Sequence, residues 1–399
     1  MTAVTETSTR PSDQADLAGR TAAFVAEHVL PVEWEVVVDG RPVDDVLRRE
    51  LQEAARAAGV FGPVSPVAHG GLGLGARGLA PVLEAAGASL LGPLAVHGAA
   101  PDDGNIHLLA AVATGPQREH YLAPLARGDV RSSIAMTEPA PGTGSDPAML
   151  QTRAERDGTD WRITGRKHLT TGADGAAFVI CIAAPAEGPT MFLVDADNPG
   201  MRVERRMPTL DRCVVGGHCE VSFDDCRVPA GAVLGEVGLG LQYAATRLAP
   251  SRLTFCMSWL GLAARAHAMA AQRISGRTAF GSLISDLGIA QAMVADSEID
   301  LMSARSVIRT AAEAIDDRGD TSREARHATA IAKTFVSEAV WRVLDRSVQL
   351  FGGLGVCEDA LVGRFLVEAR AFRIYEGPSE VLRWSIARTV LRPPRGGEP

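Results

Sequence analysis

Hydrophobic periodicity changes twice along this chain of 399 residues, and that change limits the folds open to it. Up to about residue 130, and again after Gly240, apolar residues recur at intervals of three and four, as on one face of a helix. Between these regions, residues 133–234 hold short alternating runs separated by turn residues, such as Phe178–Ile182. The predicted order is therefore helical, β, helical.

This order predicts an α+β protein of three domains, because 399 residues exceed what one hydrophobic core usually holds. The domains are an N-terminal α-helical domain (16–131), a middle β-barrel or sandwich domain (132–240) and a C-terminal four-helix bundle (241–392). Residues 1–15 are predicted to be disordered and 393–399 to be a tail. The helices of the bundle are predicted at Ser251–Ser275, Ser285–Asp316, Arg323–Leu350 and Pro378–Leu391.

Proline and acidic residues set the predicted ends of the N-terminal helices. Pro31 is expected to close the first helix, and Asp44 or Asp45 to cap the second. A later turn, Ala100–Asn105, is expected to lead into a helix over Ile106–Thr114. Pro250 would either kink a continuing helix or mark its start.

A glycine pattern at Gly73–Gly78 matches the G-x-G-x-x-G fingerprint of dinucleotide-binding folds. That fingerprint requires a buried strand before it, and Pro63 and Pro66 forbid a central strand there. No acidic residue follows at the spacing needed to hold a ribose. We therefore reject a Rossmann site at this position.

Composition and charge narrow the possible partners and the location. A formal net charge of −8 argues against nucleic acid or an anionic membrane as the main partner. No apolar run approaches the ~20 residues that span a bilayer, and residues 1–16 lack the apolar core of a secretory signal. Six cysteines are too few for a disulfide scaffold, so a cytoplasmic location is expected. The spacing of Cys213, Cys219 and Cys226 beside His218 does not fit a zinc site, so no metal is expected.

One carboxylate near the C-terminus is a candidate catalytic group. Glu376 precedes Gly377-Pro378, which reads as a loop that leads into a helix. A carboxylate at a helix mouth can project into a cavity. The alternative from spacing alone is that Glu376 pairs with Arg373 or caps the next helix.

Two C-terminal segments, Gln349–Gly353 and Arg373–Arg388, closely resemble the signature of the acyl-CoA dehydrogenases, flavoproteins that desaturate acyl thioesters. The resemblance covers nearly the whole chain from about residue 16 and implies an FAD cofactor. It also implies that Glu376 is the catalytic base. The Ala100–Asn105 turn resembles a segment that lies at the lip of the acyl pocket in a subset of the family.

The resemblance assigns further residues to FAD and to the substrate. Within one subunit, the loop Ala135–Asp146 and the strand around Thr171 resemble flavin-contacting segments, and Arg277–Gly281 resembles an element that reaches the FAD of a neighbouring subunit. The implied FAD contacts are Met136, Thr137, Ser145, Thr171, Arg277, Phe280, Gln349, Gly352, Gly353, Ser379 and Glu380. The implied substrate contacts are Ser145, Arg252, Tyr375 and Gly377. An FAD site shared across subunits implies a homodimer or homotetramer.

Three positions depart from the family pattern. Leu169 stands where the family has a tryptophan beside the flavin-contacting threonine, and Gly288 where it often has a glutamine. Ala249 replaces an acid that usually lies three residues before the arginine corresponding to Arg252. The first two changes alter the expected surroundings of the flavin, and the third alters the CoA side.

The implied reaction is α,β-desaturation of an acyl-CoA. Glu376 removes the α-proton, the β-hydrogen passes as hydride to flavin N5, and the electrons pass to an electron-transferring flavoprotein. Fixed donors would stabilise the enolate-like charge on the thioester oxygen, among them the backbone N–H of Glu376. The alternatives are a dehydrogenase of acyl groups on a carrier protein, a flavin oxidase or monooxygenase on the same fold, and a non-catalytic helical binding protein.

Overall fold

The computed structural model describes residues 11–391, with side chains from residue 16 onward. Most of the predicted disordered N-terminus (1–10) and the tail (393–399) lie outside the described residues, and the first helix begins at Pro11. The N-terminal helices are α1 (Pro11–Phe24), α2 (Leu30–Val37), α3 (Asp45–Ala57), α4 (Ala76–Ala86), α5 (Gly92–Ala95), α6 (Asp102–Val112), α7 (Gly115–Gln117) and α8 (Ala123–Ala126).

The prediction that Pro31 closes the first helix is wrong. A π-helical segment, Val25–Val29, joins α1 to α2, and Pro31 lies in the first turn of α2. A proline is tolerated there because its missing N–H would have no partner within the helix. Asp44 caps α3 as predicted, and its side chain accepts hydrogen bonds from Val46 N and Leu47 N at 3.0 and 2.9 Å.

The rejected glycine pattern is confirmed not to follow a strand. The segment before it contains turns and a short 3₁₀ helix, Val67–His69. Gly75 is then the N-cap of α4. The strand that a Rossmann site requires is missing.

The middle region is a pair of four-stranded sheets, with strand orders β1-β4-β5-β8 and β2-β3-β7-β6. β1 and β4 pair in parallel, whereas the other pairs are antiparallel. The strands are β1 (Ser132–Ala135), β2 (Arg153–Asp157), β3 (Asp160–Thr171), β4 (Phe178–Ala183), β5 (Thr190–Asp195), β6 (Met201–Met207), β7 (His218–Val228) and β8 (Val233–Leu234).

Strand β4 shows how the first sheet is buried on both faces. Successive side chains of a strand point to opposite faces. Val179 and Cys181 pack into the core between the two sheets, whereas Phe178 and Ile180 pack with α6 and α8 on the other face. The sheet therefore fixes α6 against one edge of the site described below.

The C-terminal region contains α9 (Gly240–Ser275), α10 (Gly288–Arg318), α11 (Arg323–Phe351), α12 (Leu361–Ala369) and α13 (Ser379–Leu391), with a small hairpin of β9 (Thr278–Ala279) and β10 (Ser282–Leu283) between α9 and α10. The four predicted helices are present. Helix α9, however, begins at Gly240 and contains Pro250, and α6 begins at Asp102 instead of Ile106. Packing of the added first turns against the β region outweighs the local proline signal.

One hydrophobic core joins the two helical regions. Leu47, Val82 and Leu91 of the N-terminal helices pack in the same cluster as Leu260 of α9 and Val336 of α11. Helix α6 lies outside this cluster, between α9 and the first sheet. The arrangement leaves a cleft where α6, α9, the β strands and the loop before α13 meet.

Candidate active site

A cleft of about 1160 Å³ lies at this junction. That volume exceeds the 300–1,000 Å³ typical of a site for one small ligand. Eight of the predicted site residues line the cleft: Met136, Thr137, Ser145, Thr171, Arg252, Tyr375, Glu376 and Gly377. The structure thus brings together residues that are as many as 241 positions apart in the chain (377 minus 136).

Glu376 lies in the wall of the cleft on a left-handed backbone, with φ of 55°. Its side chain is 12% exposed, and its Oε1 lies 3.4 Å from Arg247 Nη1. Its Oε2 is buried and has no hydrogen-bond partner within the described residues. The alternative pairing with Arg373 is wrong, because Arg373 binds Glu338 at 3.0 Å. A non-glycine residue at positive φ with an unpaired carboxylate oxygen is typical of a functional group.

The buried Lys333 and the half-buried Arg252 fix the loop that carries Glu376. Arg252 Nε donates to the Glu376 carbonyl at 2.8 Å, and Lys333 Nζ donates to the Gly377 carbonyl at 2.7 Å. Burial lowers the pKa of Lys333 to about 8. Gly377 has φ of 101°, and a Cβ there would lie 3.1 Å from Leu382. The loop conformation therefore requires both the glycine and the two side chains.

The first turn of α6 surrounds Arg247 from the side opposite Glu376. Arg247 Nε donates to Asn105 Oδ1 at 3.0 Å, and a Cβ on Gly104 would lie 2.9 Å from the guanidinium. Thr254 Oγ1 donates to Asp103 Oδ2 at 2.6 Å. Burial raises the pKa of Asp103 to about 6, although Thr254 and Arg247 oppose the rise.

The β side of the cleft presents hydroxyl and apolar groups. Thr171 Oγ1 lies 3.0 Å from His218 Nδ1, and His218 Nε2 lies 2.7 Å from Asp211 Oδ2. Leu169, at φ of 52°, is 46% exposed although it lines the cleft. An apolar side chain left open beside a fixed threonine is suited to cover a flat ring.

A buried ion pair holds the loop between Thr137 and Ser145. Lys167 Nζ lies 2.9 Å from Glu138 Oε1, and both side chains are buried. The Glu138 carboxylate also accepts hydrogen bonds from Thr143 N, Gln151 N, Thr152 N and Thr152 Oγ1. Burial would raise the pKa of Glu138, but the bonds from Thr152 and Lys167 outweigh it and lower the pKa to about 2.

One end of the cleft, where α9 meets the loop before α13, is aromatic. Phe255 and Tyr375 have ring centroids 4.7 Å apart, and Trp259 Nε1 donates to Tyr375 Oη at 2.6 Å. Burial raises the pKa of Tyr375 well above its usual range. This end can therefore hold an apolar chain beside one neutral hydroxyl.

The remaining predicted residues lie outside the cleft. Five of them are exposed on the surface of the chain: Arg277, Phe280, Gln349, Gly352 and Gly353. Phe280 is 97% exposed with φ of 55°. At the start of α13, Ser379 is buried and Glu380 is exposed.

Sequence reasoning missed the groups that support the site, above all Arg247, Asp103, Lys333, His218 and Glu138. One of these residues, Lys333, could have been identified from the sequence. Lys333 interrupts the apolar pattern of α11, and a lysine at an apolar position is almost never fully buried unless it is paired. Each of the others contacts at least one partner 29 or more positions away in the chain, which spacing does not reveal.

Within residues 11–391, no helix combines the length and the apolar character that a membrane crossing needs.

Comparison with known proteins matches most of the chain that the structure describes. The N-terminal, middle and C-terminal domain models of the acyl-CoA dehydrogenases match residues 11–129, 133–226 and 238–391. The chain is 36% identical to the probable acyl-CoA dehydrogenase FadE2 of Mycobacterium tuberculosis, over 94% of this chain and 95% of that protein. It is 31% identical to acyl-CoA dehydrogenase family member 11 of Rattus norvegicus, of which it spans 50%. A solved structure from Mycobacterium abscessus, assigned as an acyl-CoA dehydrogenase, superimposes with a TM-score of 0.88 at 32% identity, over 96% of this chain and 99% of that chain.

Proposed function

The chain belongs to the acyl-CoA dehydrogenase family of FAD-dependent oxidoreductases, and from this premise we propose that it desaturates an acyl-CoA thioester with Glu376 as the base. The observation that carries the proposal is the buried Oε2 of Glu376, which has no hydrogen-bond partner among residues 11–391 and lies in the wall of a cleft of about 1160 Å³. A base must be able to reach the proton that it removes, and within these residues no donor competes for this oxygen.

The two sides of the cleft suit the two ligands of this reaction. The residues that would hold FAD are Met136, Thr137, Ser145 and Thr171 on the β side. They fit a flavin because hydroxyl groups stand beside the open apolar surface of Leu169. When bound, FAD supplies the acceptor for two electrons and the β-hydrogen.

The chain's own residues orient the thioester and move its α-proton. The apolar acyl chain would extend toward Phe255 and Trp259, whose aromatic rings line the cleft. Arg252 and Lys333 hold the loop so that the backbone N–H of Glu376 keeps a fixed direction as a donor to the thioester oxygen. Such fixed donors stabilise developing negative charge by roughly 3 to 4 kcal/mol each. Glu376 then takes the proton.

The proposal is tested by anaerobic titration of the purified protein with acyl-CoAs of different chain length and branching. Bleaching of the flavin band by one class would support the activity and identify the substrate class. Bleaching by an acyl-carrier protein but by no acyl-CoA would favour the carrier-bound substrate. A protein that binds no FAD would contradict the proposal.

We further propose that electrons leave to an electron-transferring flavoprotein and that the location is cytoplasmic. The six cysteines, all unpaired in the structure, support a reducing compartment. The rate at which the reduced flavin is reoxidised distinguishes a dehydrogenase that uses an electron-transferring flavoprotein from an oxidase. A dehydrogenase stays reduced in air until the acceptor flavoprotein is added, whereas an oxidase reoxidises at once.

The exposed residues on the hairpin between α9 and α10 support a homodimer or homotetramer with a shared FAD site. Arg277 offers a fork of donors that suits a pyrophosphate, and Phe280 leaves its ring in solvent in the single chain. An aromatic ring this exposed is typical of an interface. Gly352 and Gly353 have open space where a Cβ would lie, which leaves room for a close approach.

Substitution Arg277→Met is expected to weaken FAD binding by roughly 10- to 150-fold, because a hydrogen bond to a charged group contributes about 1.5–3 kcal/mol. The FAD dissociation constant is measured by fluorescence titration of the apoprotein. Arg127→Met is the matched control, because Arg127 forms an exposed ion pair with Asp129. Unchanged FAD affinity in the oligomeric Arg277→Met protein would contradict the shared site.

A further inference from the structure

We propose that Arg247 is the positioning residue of the base: it binds Glu376 Oε1, holds the carboxylate in place, and leaves Oε2 as the oxygen that receives the α-proton. The inference rests on the proposed function, because it assigns a task to one carboxylate oxygen within that reaction. The role of Arg247 can also be tested in the protein without substrate.

The two oxygens of Glu376 have different surroundings. Oε1 lies 3.4 Å from Arg247 Nη1, whereas Oε2 is buried without a partner in the described part of the chain. A buried carboxylate oxygen without a donor is costly. Arg247 compensates for part of this cost through the other oxygen and so decides which oxygen stays basic.

Arg247 is fixed from several sides, so it cannot easily turn away. The residue is 5% exposed. Its Nε donates to Asn105 Oδ1 at 3.0 Å, and Gly104 leaves the space that the guanidinium occupies. A Cβ at Gly104 would lie 2.9 Å from both Cζ and Nε of Arg247. The α6 turn therefore holds the guanidinium against Glu376.

Several charged groups face Glu376, and they differ in the atoms that they bind. From α9, Arg252 faces the loop but donates to a backbone carbonyl, and so does Lys333 from α11. From α6, Asp103 faces the same site, and Thr254 binds its carboxylate. The neighbouring Tyr375 hydroxyl accepts from Trp259. Among these groups, Arg247 is the cation that binds the Glu376 carboxylate, and without it the Asp103 and Glu376 carboxyl groups would line the same cleft with no cation bound to either.

The length of the contact suits a base that must later accept a proton. Charge-assisted hydrogen bonds of this type are usually 2.7–2.9 Å long, so the 3.4 Å contact with Arg247 is a loose one. In the reaction, the bond between the α-carbon and its hydrogen breaks, the electron pair stays on the substrate, and the proton binds to Oε2. Arg247 keeps its charge throughout and stays beside the site where negative charge develops.

The test is isotope-edited infrared titration of Glu376 in the substrate-free protein with FAD bound. Each protein is compared with its own Glu376→Gln variant, so that the difference spectrum isolates this carboxyl. Arg247→Met should raise the midpoint of its titration relative to the wild-type protein, because the variant lacks the positive charge beside Oε1. Arg247→Lys should raise it less. Gly104→Ala, which keeps the arginine but displaces it, should raise it as well.

Arg205→Met is the matched control, because Arg205 forms an ion pair with Glu220 on the exposed side of β6 and β7. It should leave the midpoint unchanged. The pH at which flavin bleaching reaches half its maximal rate should rise with the midpoint in the Arg247 variants, which a purely structural role would not cause.

A folded Arg247→Met protein with the wild-type midpoint would overturn the proposal. If that variant does not fold, Arg247→Lys and Gly104→Ala decide in the same way, with folding checked by circular dichroism. A shifted midpoint without bleaching by any acyl-CoA would keep the role of Arg247 and reject the proposed substrate. Bleaching by an acyl-CoA without a shift of the midpoint would keep the proposed substrate and reject the role of Arg247.

Discussion

Replacement of Glu376 by glutamine is expected to lower the rate of substrate-dependent flavin bleaching by roughly 10²- to 10⁴-fold, the range that a positioned base contributes. The amide has nearly the same shape, and its oxygen can still accept from Arg247, so the cleft should keep its form. It cannot take the α-proton. The rate is measured by anaerobic stopped-flow mixing with the acyl-CoA that bleaches the wild-type protein.

The FAD content of this variant should stay at the wild-type value, because Glu376 lines the cleft from the loop before α13, whereas the residues proposed to hold FAD line its β side. Glu119→Gln is the matched control, since Glu119 is exposed and outside the cleft. Bleaching at the wild-type rate in Glu376→Gln would remove Glu376 from the role of base.

Lys167→Met is expected to lower the free energy of unfolding by about 3 to 5 kcal/mol, the usual cost of breaking a buried ion pair on one side. Lys167 is fully buried against Glu138 at 2.9 Å, so its loss leaves a carboxylate in the protein interior with one donor fewer. The loop that carries Thr137 and Ser145 should loosen at the same time. Urea denaturation of the holoprotein measures the loss of stability.

Two further variants test this explanation. The double variant Glu138→Gln/Lys167→Met should recover part of the stability, because removing both charges leaves neither buried alone. Arg205→Met, which breaks an exposed pair, should cost at most about 1 kcal/mol. Equal losses in the Lys167 and Arg205 variants would contradict the role of burial.

Acid should remove the same stabilisation. Because the folded pKa of Glu138 is about 2 and its ordinary value is 4.5, the carboxylate stabilises the fold above pH 4.5. This contribution should fall progressively from pH 4.5 to about 2. In Glu138→Gln, unfolding measured across this range should depend less on pH than in the wild-type protein.

The order of helices and strands was predictable because periodicity is a local property of the chain. The errors lie at prolines. Pro31 lies in the first turn of α2, where its missing N–H costs little, and Pro250 lies inside α9, where tertiary packing outweighs the missing N–H. No pattern within a few residues of a proline reveals which of these will occur.

The site was predictable where its residues belong to a continuous loop motif, as with Thr137 and Glu376. The site was not predictable where a single helix residue contacts a partner that is distant in the sequence. Arg247 meets Glu376 across 129 positions and Asn105 across 142. Lys333 meets a carbonyl 44 positions away. These contacts depend on how α6, α9 and α11 cross, and the sequence of any one helix does not contain that information.

The hydrophobic core that joins the two helical regions also affects how the chain is made. A ribosome releases the N-terminal helices first, and the residues that cover Val82 and Leu91, among them Leu260 and Val336, follow more than 150 positions later. The β region between them has its own core and can fold while the ribosome still adds residues. The nascent protein therefore carries a finished β unit beside exposed apolar helices, and for that interval it is a natural client for chaperones.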